Sequence, residues 1–337
     1  MAEIGPGDAT LVVGPSWVGD MVMAQSLLRL LSGRRPDTPI DVLAPGWSLP
    51  IIARMPEVRE AIEMPAGHGE LRLGLRRRVG RSLRGRYAQA IVLPRSLKSA
   101  LVPWFAGIPQ RTGFRGEHRY GLINDMRPFD PKVLDQTVKR FVALGLAPDE
   151  PLPRELPRPA LRVDRDRQTS ALDRLGLDPA AAAVAFMPGA EYGPAKCWPL
   201  DYYGELARRL VDRGNEVRVF GSARDDAAAR AIAQTAPVEN LCGRTTLEEA
   251  IDLLAACRYA VTNDSGLMHV AAAVGLPLVA LYGSSSPAFT PPLTDRAVVH
   301  YLGIECSPCF QRECPLGHFR CMREITPDRV FDSLPAA

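Results

Sequence analysis

Along most of the 337-residue chain, short apolar runs alternate with longer amphipathic stretches, which is how repeated strand–helix units read. In the first half the runs at 10–14, 40–43, 61–63 and 90–93 predict strands, and helical periodicity covers 21–31, 71–83 and 97–105. The second half restarts the pattern, with strands over 182–187, 216–220, 240–241, 259–262 and 277–281. Helices are expected over 202–212, 225–234, 247–256 and 267–274. Parallel sheets covered by helices follow from this alternation. Between the halves, residues 147–159 read APDEPLPRELPRP, whose five prolines suit neither a helix interior nor a central strand. The chain therefore divides into a domain at 1–150, a semi-rigid linker at 151–165 and a domain at 166–337. Two such α/β domains facing one another would leave a cleft between them. The final turn signal, Thr326-Pro327-Asp328, predicts a capped helix start.

Length changes the picture little, because 337 residues exceed what one core usually supports and already favour two domains. Hydrophobic residues at 46% and charged residues at 23% exclude a disordered chain. No run approaches the roughly 18 apolar residues of a membrane span, and the opening MAEIGPGDATLVVG lacks the form of a secretory signal. Seven cysteines cannot all pair, and Cys197, Cys242 and Cys257 lie alone inside regular elements, so a reducing cytoplasm is expected.

Charge changes it more. The net +3 conceals residues 71–119, where twelve basic residues stand against Glu117 alone. Arg72, Arg76, Arg77, Arg78, Arg81, Arg84 and Arg86 interleave with leucines and valine as a basic amphipathic helix, which implies an anionic partner or a solvated face. No nucleic-acid-binding signature accompanies the charge, so nucleic acid is discounted as that partner.

Three polar loops carry candidate chemistry, each following a predicted strand and opening a helix. The first, Gly14-Pro15-Ser16-Trp17-Val18-Gly19-Asp20, is not a dinucleotide fingerprint. Asp20 there reads either as a helix-terminal carboxylate presented to a ligand or as a simple cap. The second, from Met187 to Pro199, has small residues through which backbone amides can approach a ligand, and Lys196 adds a mobile cation. That combination suits a pyrophosphate, although a plain loop with a solvated lysine reads equally well. The third, Thr262 to His269, places Asp264 and Ser265 at a helix start, with Gly266 for close approach and His269 one turn in; a capped helix with a core histidine is the plainer reading. All three loops lie where open parallel sheets bind ligands.

Taken in order, GPSWVGDMVMAQSLLR, MPEVREAIEMPAGHGEL, LPRSLKSALVPWFAGIPQRTGFRGEHRYGLINDMR, PGAEYGPAKCWP, VFGSARD and TNDSGLMHVAAAVGLPLVALYGSSSPAFTPPL resemble the glycosyltransferase family 9 heptosyltransferases. That resemblance implies a GT-B architecture, with two Rossmann-like domains around a central cleft, the N-terminal one for acceptor and the C-terminal one for donor. It implies an inverting transfer of L-glycero-D-manno-heptose from ADP-heptose to the first heptose of the lipopolysaccharide inner core. The alternatives are a relative using another core acceptor, or a two-lobed nucleotide-sugar-binding protein without turnover. Carried across, Asp20 resembles the general base. Gly189, Ala190, Glu191, Lys196, Ser222, Asp225, Leu247, Asp264, Ser265, Gly266, Leu267 and His269 resemble the donor site.

Ser16, Trp17, Arg95, Lys98, Arg111, Arg115 and Arg119 are the expected acceptor contacts, and the acceptor implies an anionic inner-membrane surface met peripherally from the cytoplasm. No metal is required for this chemistry. Near the end, Cys306, Cys309, Cys314 and Cys321 form C-x2-C-x4-C-x6-C, of which the first pair has zinc-knuckle spacing. Structural zinc or an iron–sulfur cluster, two disulfides, and four free thiols are the readings.

Overall fold

A computed structural model describes residues 7–67 and 69–335. The first residues of the N-terminal domain, the last two of the C-terminal domain, and His68 within the MPEVREAIEMPAGHGEL stretch lie outside the described residues. Contacts divide the chain into two compact units, ending at Pro159 and beginning at Ala160, inside the segment read as linker.

The first unit is a six-stranded sheet in the order β3-β2-β1-β4-β5-β6, with every neighbouring pair parallel. Its strands are β1 (Ala9–Val13), β2 (Ile40–Ala44), β3 (Glu60–Glu63), β4 (Tyr87–Val92), β5 (Gln110–Phe114) and β6 (Asp125–Arg127). Its helices are α1 (Val18–Arg34), α2 (Leu49–Ile52), α3 (Leu73–Ser82), α4 (Leu97–Phe105) and α5 (Thr137–Ala143). β1 and β2 are buried at every position, as expected where helices cover both faces, and the edge strand β3 is partly exposed throughout.

The second unit holds α6 (Arg165–Leu175), β7 (Ala183–Met187), α7 (Leu200–Val211), β8 (Glu216–Val219), α8 (Asp226–Ala233), β9 (Glu239–Asn240), α9 (Leu247–Leu254) and β10 (Tyr259–Asn263). It continues through α10 (Gly266–Ala273), β11 (Leu278–Tyr282), β12 (Ala297–Tyr301), α11 (Arg320–Arg323) and α12 (Pro327–Asp332). Its parallel sheet runs β12-β11-β10-β7-β8-β9. Numbered within the unit, that order repeats the first. Each sheet therefore has a switch point where the winding reverses, between β1 and β4 and between β7 and β10, and open α/β sheets bind ligands beyond the strand ends there. The second core gathers Trp198, Tyr203 and Phe186 with Val184, Val217 and Val261; Trp198 meets Tyr203 edge to face, and Phe186 is tilted against Tyr203.

The predicted strands and helices of both halves are present within a few residues. β5, β6 and β12, with α2, α5, α6 and α11, are additional. β5 (QRTGF) and α6 (RDRQTSALDRL) are too polar for an apolar pattern to mark, and β12 is an edge strand exposing Val298 and Val299.

Candidate functional site

In the first unit, the end of β1 is pinned from both sides: the Gly14 amide donates to the Leu43 carbonyl at 2.9 Å and the Leu93 amide to the Val13 carbonyl at 3.1 Å. The chain then turns directly into α1, whose N-cap Trp17 makes no side-chain cap bond. Asp20 is in the first turn and half-buried, at the positive end of the helix. Ser16 is held through its carbonyl by the Trp47 indole at 2.8 Å, and the Trp17 ring is exposed.

Across this switch point, the stretch from the end of β4 to the loop before β6 carries the basic residues expected to read the acceptor, and the structure separates them. Arg119 is 1% exposed; it donates to the carbonyls of Pro94 and Phe114, both at 2.6 Å, and burial pushes its pKa down to about 10. Arg111 donates to the carbonyls of Leu122 at 2.7 Å, Gly121 at 3.2 Å and Ile108. Both guanidiniums donate to carbonyls of the β4–β6 loops, while the Arg119 Nε is buried without a hydrogen-bond partner among the described residues. Arg95 stays exposed, its guanidinium 4.7 Å from the Phe129 ring, and Arg115 is exposed over Tyr120. Lys98, half-buried in α4, makes no ion pair among the described residues.

The basic helix needs a similar correction. Arg76 is buried, bonded to the carbonyls of Leu71 at 2.6 Å and Glu70 at 3.1 Å, and Arg86 lies beyond α3, paired with Glu60 and Asp41. Arg72, Arg77, Arg78, Arg81 and Arg84 remain exposed.

In the second unit the two remaining loops meet at the β7/β10 switch point. Asn263, fully buried, joins them: its amide donates to the Pro188 carbonyl, and its oxygen accepts from the Trp198 amide at 3.1 Å and the Tyr203 hydroxyl at 3.2 Å. This clamp holds one 3-10 turn, Pro194–Lys196, so that the Lys196 ammonium stands 2.6 Å from the Asp264 carboxylate. Asp264 is 5% exposed, and Thr290 Oγ1 reaches its other oxygen at 3.5 Å. Ser265, the N-cap of α10, makes no cap bond, and its buried hydroxyl has no hydrogen-bond partner among the described residues. Gly266 and Leu267 form the first turn of α10. His269 is buried; burial, with Lys196 adding to it against Asp264, pushes its pKa down to about 4, so the ring is neutral near pH 7.

Beside this cluster, a Cβ on Gly189 would stand 2.2 Å from an Asp225 oxygen, so the β7 and β8 loops touch. Asp225 accepts from the Ser222 amide and hydroxyl, both at 2.8 Å, in a capping box, and Glu191 pairs with Arg224 at 2.7 Å. Asp226 pairs with Arg230 at 2.6 Å. Ala190 is half-exposed in the same loop, and Leu247 opens α9 at this sheet edge. The expected donor residues are thus brought to one edge of one sheet. Asn263, Thr290 and Tyr192, which belong with them, escaped the sequence reading because their roles depend on partners from distant segments.

All seven cysteines are free thiols, and among the described residues no three His, Cys, Asp or Glu side chains gather to hold a metal ion. Cys321 is buried on α11, close to Gly283, while Cys306, Cys309 and Cys314 are half-exposed on an irregular loop. Burial first, and then the three other sulfurs, push the Cys321 thiol up to about 11.

This arrangement, a lysine–aspartate pair and an unpartnered hydroxyl at a helix N-terminus beyond a parallel sheet, is suited to an anionic ligand. The chain is similar to known proteins along nearly its whole length. It is 49% identical to lipopolysaccharide heptosyltransferase 2 of Escherichia coli, covering 97% of each chain. It is 46% identical to lipooligosaccharide heptosyltransferase 2 of Haemophilus influenzae, covering 96% of this chain and 97% of that one. The solved structure of E. coli ADP-heptose lipopolysaccharide heptosyltransferase II superposes with a TM-score of 0.86 at 47% identity, covering 96% of both chains, and the fold is of the GT-B type. The sequence profile of glycosyltransferase family 9 (heptosyltransferase) matches residues 76–320. This chain, with its two doubly wound sheets and its anion-suited strand ends, belongs to glycosyltransferase family 9.

Proposed function

We propose that this enzyme transfers L-glycero-D-manno-heptose from ADP-heptose to the first heptose of the lipopolysaccharide inner core, with inversion at the anomeric carbon. The geometric observation that carries the donor half is the Lys196–Asp264 pair at the β7/β10 switch point. Sugar and acceptor follow from the full-length likeness to the heptosyltransferases 2. In this reading Asp20 takes the proton of the acceptor hydroxyl as its oxygen attacks the anomeric carbon, while the bond to the β-phosphate oxygen breaks. Lys196 and the N-terminus of α10 meet the charge that develops on departing ADP, without a metal ion, and Asp264 accepts from a hydroxyl of the sugar. Neutral His269 packs beneath that site. The test is ADP release with acceptors bearing no, one or two heptoses. Release with the one-heptose acceptor alone is expected; equal release with the heptose-free acceptor would assign another acceptor.

The acceptor is a glycolipid, and α3 and α4 offer a face for the membrane that carries it. No described helix is long and apolar enough to cross a bilayer. α3 packs on α4 through Gly80, where a Cβ would stand 2.6 Å from Phe105 Cβ. Arg77, Arg78 and Arg81 are exposed on this pair and Arg84 just beyond α3, together with Leu73 and Trp104, a combination suited to an anionic surface at the cytoplasmic side. Neutralising Arg77, Arg78 and Arg81 with glutamine is expected to weaken binding to phosphatidylglycerol vesicles by a factor on the order of a hundred, from about 1 kcal/mol per arginine. Turnover of a delipidated acceptor should not change. Vesicle affinity equal to that of the parent protein would make these arginines a solvated face.

A further inference from the structure

The donor site described above is short of positive charge. Each phosphate of a nucleoside diphosphate sugar is anionic, yet the Lys196 ammonium is 2.6 Å from the buried Asp264 carboxylate, so that pair is close to neutral. Arg224, the other cation on these loops, is paired with Glu191 at 2.7 Å. The N-terminus of α10 supplies roughly half a charge. A second full cation is needed to hold the diphosphate and to stabilise it as it leaves.

The irregular segment that follows β12 brings one. The Arg312 carbonyl accepts from the Ala195 amide at 3.0 Å, one residue before Lys196. Gly193, at φ 153°, lies so close that a Cβ would be 2.4 Å from the same carbonyl oxygen, which only glycine permits. The Tyr192 hydroxyl donates to the Phe310 carbonyl at 2.7 Å, and the Phe310 amide donates to the Ser284 carbonyl at 2.7 Å, tying the segment to the end of β11. From this anchored backbone the Arg312 guanidinium lies 5.0 Å from the centroid of the Tyr192 ring, and the Lys196 ammonium lies 5.3 Å from the same centroid. Two cations are thus gathered at one aromatic ring. Arg312 is exposed, and among the described residues no carboxylate pairs with it.

We propose that Arg312 is a second cation of the donor site, forking onto the diphosphate beside Lys196. Arginine suits this role because its planar donors match two phosphate oxygens, and the Tyr192 ring can hold it in place while the phosphates are absent. The proposal rests on the ADP-sugar reading of the site.

Calorimetric titration of the full-length protein with ADP and with AMP tests it, alongside the KM for ADP-heptose. Arg312→Ala is expected to weaken ADP binding and raise the donor KM by a factor on the order of thirty. AMP affinity and acceptor KM should stay within about twofold, since a contact to the β-phosphate is absent from AMP. Arg312→Lys, which keeps the charge but loses the fork, should restore only part of the loss. Any residue at 312 keeps the carbonyl that anchors the Ala195 amide, so the thermal midpoint should not move. Unchanged ADP affinity in Arg312→Ala, or equal loss for ADP and AMP, would overturn the role and leave a loop-packing arginine. Failure of the parent protein to bind ADP would instead overturn the donor reading, and this proposal with it.

Discussion

Asn in place of Asp20 is expected to lower turnover by a factor on the order of 10³, the range over which positioned general bases act. ADP affinity should be unchanged, because Asp20 is held in the first unit and every proposed donor contact in the second. The mechanism places the loss in kcat: the variant still binds donor and acceptor, but the attacking hydroxyl keeps its proton. Initial rates of ADP release, with calorimetric ADP binding on the same preparation, separate these effects. A variant retaining more than about a tenth of the rate would remove Asp20 as the base and leave it a first-turn acid complementing the helix dipole.

Lys196→Ala is expected to have two consequences of different origin. Stability should fall by on the order of 3 kcal/mol, since Asp264, 5% exposed, would lose the ammonium that compensates its charge. Turnover should fall by a factor on the order of 10³, because the departing diphosphate loses a cation placed where charge develops. A double variant, Lys196→Met with Asp264→Asn, keeps the two causes apart. Removing both charges relieves the desolvation penalty, so the denaturation midpoint should return toward that of the parent protein while transfer stays low. Transfer that recovered together with stability would reduce Lys196 to a partner for Asp264.

Much of the proposed donor site was legible in the sequence because its residues are local to loops. Lys196 and Asp264 to His269 each follow an apolar strand and open a helix, and strand ends in parallel sheets are where ligands bind. The acceptor side was less legible. Arg95, Arg111, Arg115 and Arg119 share composition and spacing, yet only Arg95 and Arg115 keep an exposed guanidinium. Nothing in the local pattern tells an arginine that closes a loop from one that faces solvent; the difference is made by carbonyls such as Pro94 and Leu122, supplied from other segments. Arg76 was misplaced for the same reason, since helical periodicity could not show that the Glu70 and Leu71 carbonyls turn back over it.

The sequence alone determined the alternation of strands and helices, the division into two α/β halves, the three strand-end loops and the family they resemble, because period, turn chemistry and motif order are properties of neighbouring residues. Tertiary structure decided the strand orders that create the switch points, the burial of Arg76 and Arg119, the burial of Cys321 while the three other C-terminal cysteines stay half-exposed, and the arrival of Arg312 and Lys196 at the Tyr192 ring. Each depends on backbone groups and side chains brought together by folding from positions far apart in the chain. Whether a charged side chain is spent inside the protein or kept for a ligand is fixed by the partners packed around it.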